Sequence, residues 1–296
     1  MATEDGVDAG NELTIKGGTI TVSQSEEGLE ARVIRQLGGD VTIKSSDDGV
    51  NASAGSSSKT TDTSATSKTT DASATSNTAD TSSSASQATG DPAATSQADQ
   101  ANKDKNATPP SPPAGQAPPQ GGQPPQNGQG PGGMPPGVQE ESDPSLQIIL
   151  EGGTLTIDAE GDGIDSNGTV SISGGSLVVN GSVQGGNGPL DATSDITITG
   201  GTVWALGTSD MLQGFAQGST QASITANIAG TAGQTLIILD AKGKEVARQT
   251  ASKDFQAVIM SSADLVDGQT YTIQVEGTTQ TATAALVTPV TGGFHP

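Results

Sequence analysis

The sequence lacks cysteine and contains few aromatic and few basic residues. With no Cys, disulfides and thiolate-bound metal are excluded. Aromatic residues make up 2% and hydrophobic residues 31% of the 296 residues, which is too little apolar mass for one ordinary core of this length. Twelve Lys plus Arg against 33 Asp plus Glu leave a net charge of −21, which excludes a nucleic-acid binder that works by neutralising phosphates. The single histidine, His295, stands next to the last residue, and this removes most histidine-based catalysis.

Two further absences concern membranes and counter-charges. No apolar run approaches the ~20 residues of a membrane span, and no signal peptide follows Met1. No Lys or Arg occurs between Asn106 and Ala241, although residues 146–220 contain eight acidic residues. Carboxylates without a basic partner in their own segment are expected to attract a cation from solution.

Residues 52–145 have the composition of a chain that does not fold. The first half is rich in Ser, Thr, Ala and Asp, and 13 of the 16 prolines lie between Pro92 and Pro144. Such a composition buries too little apolar surface to offset chain entropy, so it predicts a disordered insertion. We interpret the insertion as a tolerated surface loop, with a stalk or spacer as the alternative.

The remaining sequence contains a repeat of 21 to 26 residues, which is typical of solenoids. Each repeat has a short alternating segment, a Gly-Gly pair and a second alternating segment. The five copies are LTIKGGTITV (13–22), VIRQLGGDVTI (33–43), IILEGGTLTI (148–157), VSISGGSLVV (170–179) and ITITGGTVWA (196–205). A second motif accompanies each copy: EDGVD (4–8), EEGLE (26–30), DDGVN (47–51), GDGID (161–165) and NGPLD (187–191).

Alternation of Ile, Val, Leu and Thr over four or five residues indicates strands with one buried face. Two clear strands and a short third in each repeat predict an all-β fold, a right-handed parallel β-helix. The expected inward residues are Leu13, Ile15, Ile20, Val22, Ile148, Leu150, Leu155, Ile157, Val170, Ile172, Leu177 and Val179. In the second repeat Gln36 occupies an inward position, so that coil either is out of phase or buries an amide. The predicted segments are coils in 1–51, the insertion in 52–145, further coils in 146–214 and an antiparallel β cap with the tail in 215–296.

Stacking of the repeats places equivalent acidic residues ~4.8 Å apart along one edge. One column is Asp5, Glu27, Asp48 and Asp162, and the other is Asp8, Glu30, Asn51, Asp165 and Asp191. Neighbouring carboxylates at this spacing repel each other, and a calcium ion with oxygen ligands at about 2.3–2.6 Å spans the gap. These nine residues are therefore the predicted calcium ligands, and a solvated acidic edge with Asp-capped turns is the alternative.

Three segments resemble a known bacterial family: SDDGVNAS (46–53), AEGDGIDSNGTVSISGG (159–175) and NGPLDATSDITITGGT (187–202). They are similar to the calcium-dependent carbohydrate-binding β-helix proteins, which are related in fold to pectate lyases. The segment SSADLVDGQTYTIQV (261–275) is similar to the closing part of that family, and an insertion after DDGVN is typical of it. The resemblance implies binding of acidic, polygalacturonate-like polysaccharide with calcium, at the cell surface or outside the cell. The chain departs from the family in beginning inside a coil, without the upstream coils or a secretion signal.

We therefore expect a non-catalytic, calcium-dependent polysaccharide-binding protein, with no nucleic-acid partner and as a monomer. A β-helix polysaccharide lyase or hydrolase is the first alternative, but it would need basic groups that the later coils lack. A structural surface adhesin or stalk is the second alternative.

Overall fold

A computed structural model describes residues 4–54 and 142–288. The predicted disordered insertion falls almost entirely outside the described residues. The described part is all-β: it contains 20 strands and no helix, and it therefore offers no helix that could cross a membrane.

The strands before β15 form a parallel β-solenoid of about five turns. Coils 1 and 2 lie before the insertion, which interrupts coil 3 between β7 and β8. Coil 1 contains β1 (Val7–Asp8), β2 (Glu12–Ile15) and β3 (Thr19–Ser25), and coil 2 contains β4 (Leu29–Ala31), β5 (Val33–Gln36) and β6 (Asp40–Ser45). Coil 3 contains β7 (Val50–Ala52), β8 (Gln147–Leu150) and β9 (Thr154–Ala159); coil 4 contains β10 (Ile164–Ser166), β11 (Thr169–Ile172) and β12 (Ser176–Asn180); coil 5 contains β13 (Ile196–Ile198) and β14 (Thr202–Gly207).

Equivalent strands of successive coils pair in parallel and make three long sheets. Sheet A has the order β1-β4-β7-β10, sheet B the order β13-β11-β8-β5-β2, and sheet C contains β14-β12-β9-β6-β3. Coil 3 pairs with coil 2 on all three sheets, so the chain resumes the same register on both sides of the insertion.

Alternate side chains of these strands fill the interior, as the sequence pattern predicts. Ten of the twelve predicted inward residues are buried. The other two, Leu13 and Ile20, are only half-buried against the same core, because they belong to the first coil. Gln36 buries its side-chain amide. The Nε2 atom donates to the carbonyl oxygens of Thr154 at 3.0 Å and Gly39 at 3.4 Å.

The C-terminal strands cap the last coil. They are β15 (Ser223–Ala226), β16 (Thr235–Leu239), β17 (Glu245–Thr250), β18 (Ala257–Ser261), β19 (Thr270–Val275) and β20 (Thr278–Thr283). Strand β18 pairs antiparallel with β14, and β15 pairs with β18, so sheet C continues into the cap. The other four strands form the antiparallel sheet D, in the order β17-β16-β19-β20.

Side-chain contacts also join the cap to the solenoid. Trp204 lies outside the coil interior and is buried in a second apolar core with Phe255 and Tyr271. Lys253 of the cap reaches coil 3, where its Nζ donates to the Ala159 carbonyl oxygen at 2.6 Å and lies 3.0 Å from a Glu160 oxygen. The end of the solenoid core is therefore covered on the C-terminal side.

The Gly-Gly corners show how closely the coils approach each other. A Cβ added at Gly174 would lie 2.3 Å from the carbonyl oxygen of Glu151 in the preceding coil. A Cβ added at the equivalent Gly17, in the first coil, would meet no atom within 4 Å.

This difference predicts opposite outcomes for one substitution at two equivalent positions. Gly174→Ala should lower the free energy of unfolding by at least about 2 kcal/mol, because the backbone must shift to relieve the overlap. Gly17→Ala should leave it unchanged or raise it by about 0.4–1 kcal/mol, since only the unfolded chain loses freedom. Denaturant unfolding of both variants measures this, and equal losses would contradict the stacking described here.

Candidate functional site

The second acidic column lies on the outer face of sheet A. Parallel pairing aligns Asp8 with Glu30, Glu30 with Asn51, and Asn51 with Asp165. A single bridge between Ile164 and Leu190 continues the register, so Asp191 follows Asp165. The structure therefore brings all five predicted residues of this column into one line across five coils.

The first column lies at the turn before sheet A. The carbonyl oxygens of Glu27, Asp48 and Asp162 accept hydrogen bonds from the motif glycine of the preceding coil, at 2.8–2.9 Å. These bonds align Asp5, Glu27, Asp48 and Asp162. The next coil has Gly188 at this position, because Gly163 N donates to the Gly188 carbonyl oxygen at 3.0 Å, so the column ends at Asp162.

The glycine inside each acidic motif is required by packing. A Cβ at Gly49 would lie 2.3 Å from the Ile157 side chain and 2.5 Å from the Gly163 carbonyl oxygen. Gly28 meets Ile43 and Gly163 meets Val179 in the same way. The Asp/Glu-Gly pattern thus combines a structural glycine, which lets the backbone pass over the core, with an outward carboxylate.

The two acidic columns together form a ridge along the edge of sheet A, which we call the acidic ridge or simply the ridge. Three carboxylates converge at its N-terminal end, and we call Asp5, Asp8 and Glu30 the outer cluster. One oxygen from each lies within 4.8 Å of the other two. Asp8 accepts a bond from Gly10 N at 2.9 Å, and Glu30 accepts one from Ser53 Oγ at 2.7 Å, which orients both side chains. Calcium takes oxygen ligands at about 2.3–2.6 Å, and this cluster is the one group of carboxylates among the described residues whose oxygens lie close enough together to hold a single ion.

A second group of carboxylates, the inner cluster of Asp47, Asp48 and Asp162, lies further along the ridge. Asp48 Oδ1 accepts a bond from Asp162 N at 2.7 Å, and Asp162 Oδ1 accepts one from Gly188 N. Burial, and then the neighbouring carboxylates, raise the pKa of Asp162 to about 8 and that of Asp48 to about 6. These side chains cap the backbone of the next coil, and they do not form a group of three oxygens within 4.8 Å of one another among the described residues.

Glu27 and Asn51 lie between the two clusters. Asn51 Nδ2 donates to Glu27 Oε2 at 2.9 Å, while Asn51 Oδ1 is buried and meets no hydrogen-bond donor among the described residues. Burial raises the pKa of Glu27 to about 8, and the charges of Glu30, Asp48 and Asp5 contribute to the shift. The buried Asn51 Oδ1 beside the Glu27 carboxylate suits a cation or a proton. Carboxylate and amide oxygens are the ligands that calcium prefers.

Sequence reasoning missed the roles of four residues in the ridge: Asp47, Gly161, Ser53 and Gly188. The doublet Asp47-Asp48 was the available signal for Asp47, whose pKa burial raises. Gly161 makes room for both, since a Cβ there would lie 2.5 Å from an oxygen of each. The Ser53 bond to Glu30 and the Gly188 bond to Asp162 join different coils, and no local motif indicates them.

Comparisons of the chain with family models, with curated proteins and with solved structures found no match. The family resemblance of the motifs therefore stays a prediction, and the residues of the ridge are the structural feature that bears on function.

The raised pKa values predict that the metal-free protein loses stability as the pH rises. Glu27 and Asp162 hold their protons more tightly in the folded than in the unfolded state, where their pKa values are 4.5 and 3.8. Their protonated forms stabilise the fold at low pH, and this contribution is lost progressively between about pH 4 and pH 8.

Thermal melts in chelator at pH 5, 6.5 and 8 test this prediction, and the melting temperature should fall along the series. Glu27→Gln together with Asp162→Asn should flatten the dependence. A melting temperature that rises toward pH 8 would show that ionisation of the ridge carboxylates does not destabilise the folded state.

Proposed function

We propose that the protein is a non-catalytic, calcium-dependent binder of acidic polysaccharide at the bacterial cell surface. The observation that supports this best is the outer cluster, where three carboxylate oxygens within 4.8 Å of one another suit a single calcium ion. The family resemblance supplies the substrate class, a polymer of uronic acids such as polygalacturonate.

The outer cluster suits a shared ion better than the inner cluster does. Asp8 is exposed and Glu30 is half-buried, so the carboxylate group has an open side toward solvent. One oxygen from each of its three carboxylates lies within 4.8 Å of the other two, and the inner cluster forms no such group among the described residues. We assign Asp5, Asp8 and Glu30 to binding an ion that a carboxylate of the polysaccharide also coordinates. The inner carboxylates chiefly hold successive coils together.

An acidic protein can hold an acidic polymer only through a bridging charge. At a net charge of −21, the chain repels a polyuronate by direct electrostatics. Bound calcium supplies positive charge and free coordination positions, which carboxylates of the sugar can fill. The acidic columns contribute a regular row of oxygens along sheet A. A polyuronate likewise carries a regular row of carboxylates.

The lyase alternative has little support from the two arginines of the coils. Arg32 forms a salt bridge with Asp143 at 3.2 Å, and Arg35 forms one with Glu151 at 2.8 Å. A catalytic base or substrate clamp would have to be released from such a pair. Calcium-dependent binding of the polysaccharide needs no basic residue.

Calcium should raise the melting temperature of the full chain. An ion that binds only the folded state adds about 2.7 kcal/mol at one hundred times its Kd. Differential scanning calorimetry in chelator and in millimolar calcium measures the shift. The triple variant Asp5→Asn, Asp8→Asn, Glu30→Gln should lose most of it, and an unchanged melting curve of the native chain would remove calcium from this proposal.

Polygalacturonate binding should require calcium and the outer cluster. We expect Asp8→Asn and Glu30→Gln each to weaken binding by about tenfold or more, because each removes a charged ligand of the ion. Asp264→Asn, an exposed acid of the cap, is the matched control and should bind as the native chain does. Isothermal titration with calcium, and again with chelator, gives the affinities.

The same experiment separates the alternatives. Binding should weaken but persist in moderate monovalent salt, because inner-shell coordination is screened less than surface attraction. Unsaturated product absorbing in the ultraviolet would indicate a lyase. Equal binding in chelator, or binding of neutral glucans only, would refute the bridging mechanism, and absence of any glycan binding would favour a structural adhesin.

A further inference from the structure

The side-chain amide of Asn51 has a hydrogen-bond partner on only one of its two polar atoms. Its Nδ2 donates to Glu27 Oε2 at 2.9 Å. Asn51 is only 8% exposed, and its Oδ1 accepts no hydrogen bond from the part of the chain that the structure describes. Because a buried acceptor without a donor is costly, this position suits a ligand that brings an N–H or O–H group.

The same position carries negative charge from several carboxylates. Glu27 is half-buried, and Glu30, Asp48 and Asp5 lie near enough for their charges to act on it. None of these four acids forms a salt bridge with a Lys or Arg in residues 4–54 and 142–288. A ligand bound beside Glu27 therefore has to supply positive charge as well as a hydrogen-bond donor.

Glu27 and Asn51 offer too few oxygens to hold a calcium ion of their own. Calcium takes about six to eight oxygen ligands, and within the described ranges Glu27 belongs to no group of three acids whose oxygens gather closely. A primary ammonium group has three N–H donors and a single positive charge. It can donate to Asn51 Oδ1 and to the Glu27 carboxylate at once, which satisfies both the unpaired acceptor and the charge.

The protein itself contains an ammonium group bound by acceptors of the same kinds. At the turn between β9 and β10, Lys253 Nζ donates to the Ala159 carbonyl oxygen at 2.6 Å. The same nitrogen lies 3.0 Å from a Glu160 oxygen and 3.5 Å from an Asp158 oxygen. One uncharged oxygen and neighbouring carboxylates are thus sufficient to hold an ammonium group at the edge of this solenoid.

We propose that Glu27 and Asn51 form an amine pocket, which binds one primary ammonium group of a linear polyamine. Equivalent positions of successive coils are ~4.8 Å apart, and a short alkyl chain between two amines spans that step. A second ammonium group of the same molecule then faces Asp48 in the next coil, so a polyamine is favoured over a single ammonium ion. For Glu27 and Asn51 this replaces the expectation of calcium ligation, and it does not depend on the polysaccharide proposal.

Isothermal titration of the full chain with spermidine, after removal of divalent ions, tests the amine pocket. We expect saturable binding that persists in moderate monovalent salt. The fully N-methylated, quaternary analogue of spermidine carries the same positive charges without N–H donors, so it cannot bond to Asn51 Oδ1. It should bind at least about tenfold more weakly. Equal binding of the two compounds would show that the ridge attracts only charge, and it would overturn the proposal.

Glu27→Gln gives a sharper test, because the introduced amide removes the charge and can itself donate to Asn51 Oδ1. Its affinity for spermidine should fall by at least about tenfold. Its melting temperature without amine should equal or exceed that of the native chain, a result that a folding defect would not produce. Asn51→Leu lacks both polar atoms of the amide and should weaken binding to a similar extent, with circular dichroism to confirm its fold.

Glu12→Gln is the matched control, because it removes one charge from an exposed acid of β2 outside the ridge. This variant should bind spermidine as the native chain does. Absence of saturable spermidine binding by the native chain, equal affinities of the Glu27 and Glu12 variants, or an unchanged affinity of the Asn51 variant would each overturn the proposal.

Discussion

The parallel hydrogen-bond ladder between successive coils is the interaction on which the other features of this protein depend. It holds equivalent residues ~4.8 Å apart, and it does so across the insertion, where β6 pairs with β9. At that spacing a corner stacked on the preceding coil has no room for a side chain, because a Cβ at Gly174 would overlap the Glu151 carbonyl oxygen. The same spacing turns a scattered motif of acids into two continuous columns. Core, corners and acidic ridge are therefore three consequences of one repeat distance.

The charged carboxylates of the ridge destabilise the hydrogen-bond ladder that aligns them. Stacked carboxylates repel, and burial of Glu27 and Asp162 disfavours their charged forms, which raises both pKa values to about 8. A protein that needed only a stable solenoid would do better with Ser, Thr or Asn at these positions, as Asn51 does in one coil. Local departures from good packing and electrostatics are concentrated at functional sites. In the proposed function, a bound cation would convert this repulsion into attraction, which would give a physical reason for the acids at four of the five positions of the second column.

The sequence predicted the features that depend on local alternation and on the repeat. Ile148, Leu155 and Val170 point inward because strand periodicity requires it, and Asp8, Glu30 and Asp165 align because the repeat length does. What it left open depends on groups from different coils. It presented two alternatives for Gln36, and the Thr154 carbonyl 118 residues away decides that the amide is buried. It also did not distinguish acids that cap the next coil, such as Asp162, from acids with an open side, such as Asp8. Leu13 and Ile20 follow the inward pattern, yet they are half-exposed because only the position of a coil in the stack decides what covers it.

The cap shows how this chain ends a parallel stack of coils. At the C-terminal end, β18 pairs with β14 in the antiparallel direction, which ends the parallel stack and satisfies its last edge within the chain. Strand β15 then pairs antiparallel with β18, so sheet C continues into the cap. The change from parallel to antiparallel pairing therefore ends the repeat without leaving the edge of β14 exposed.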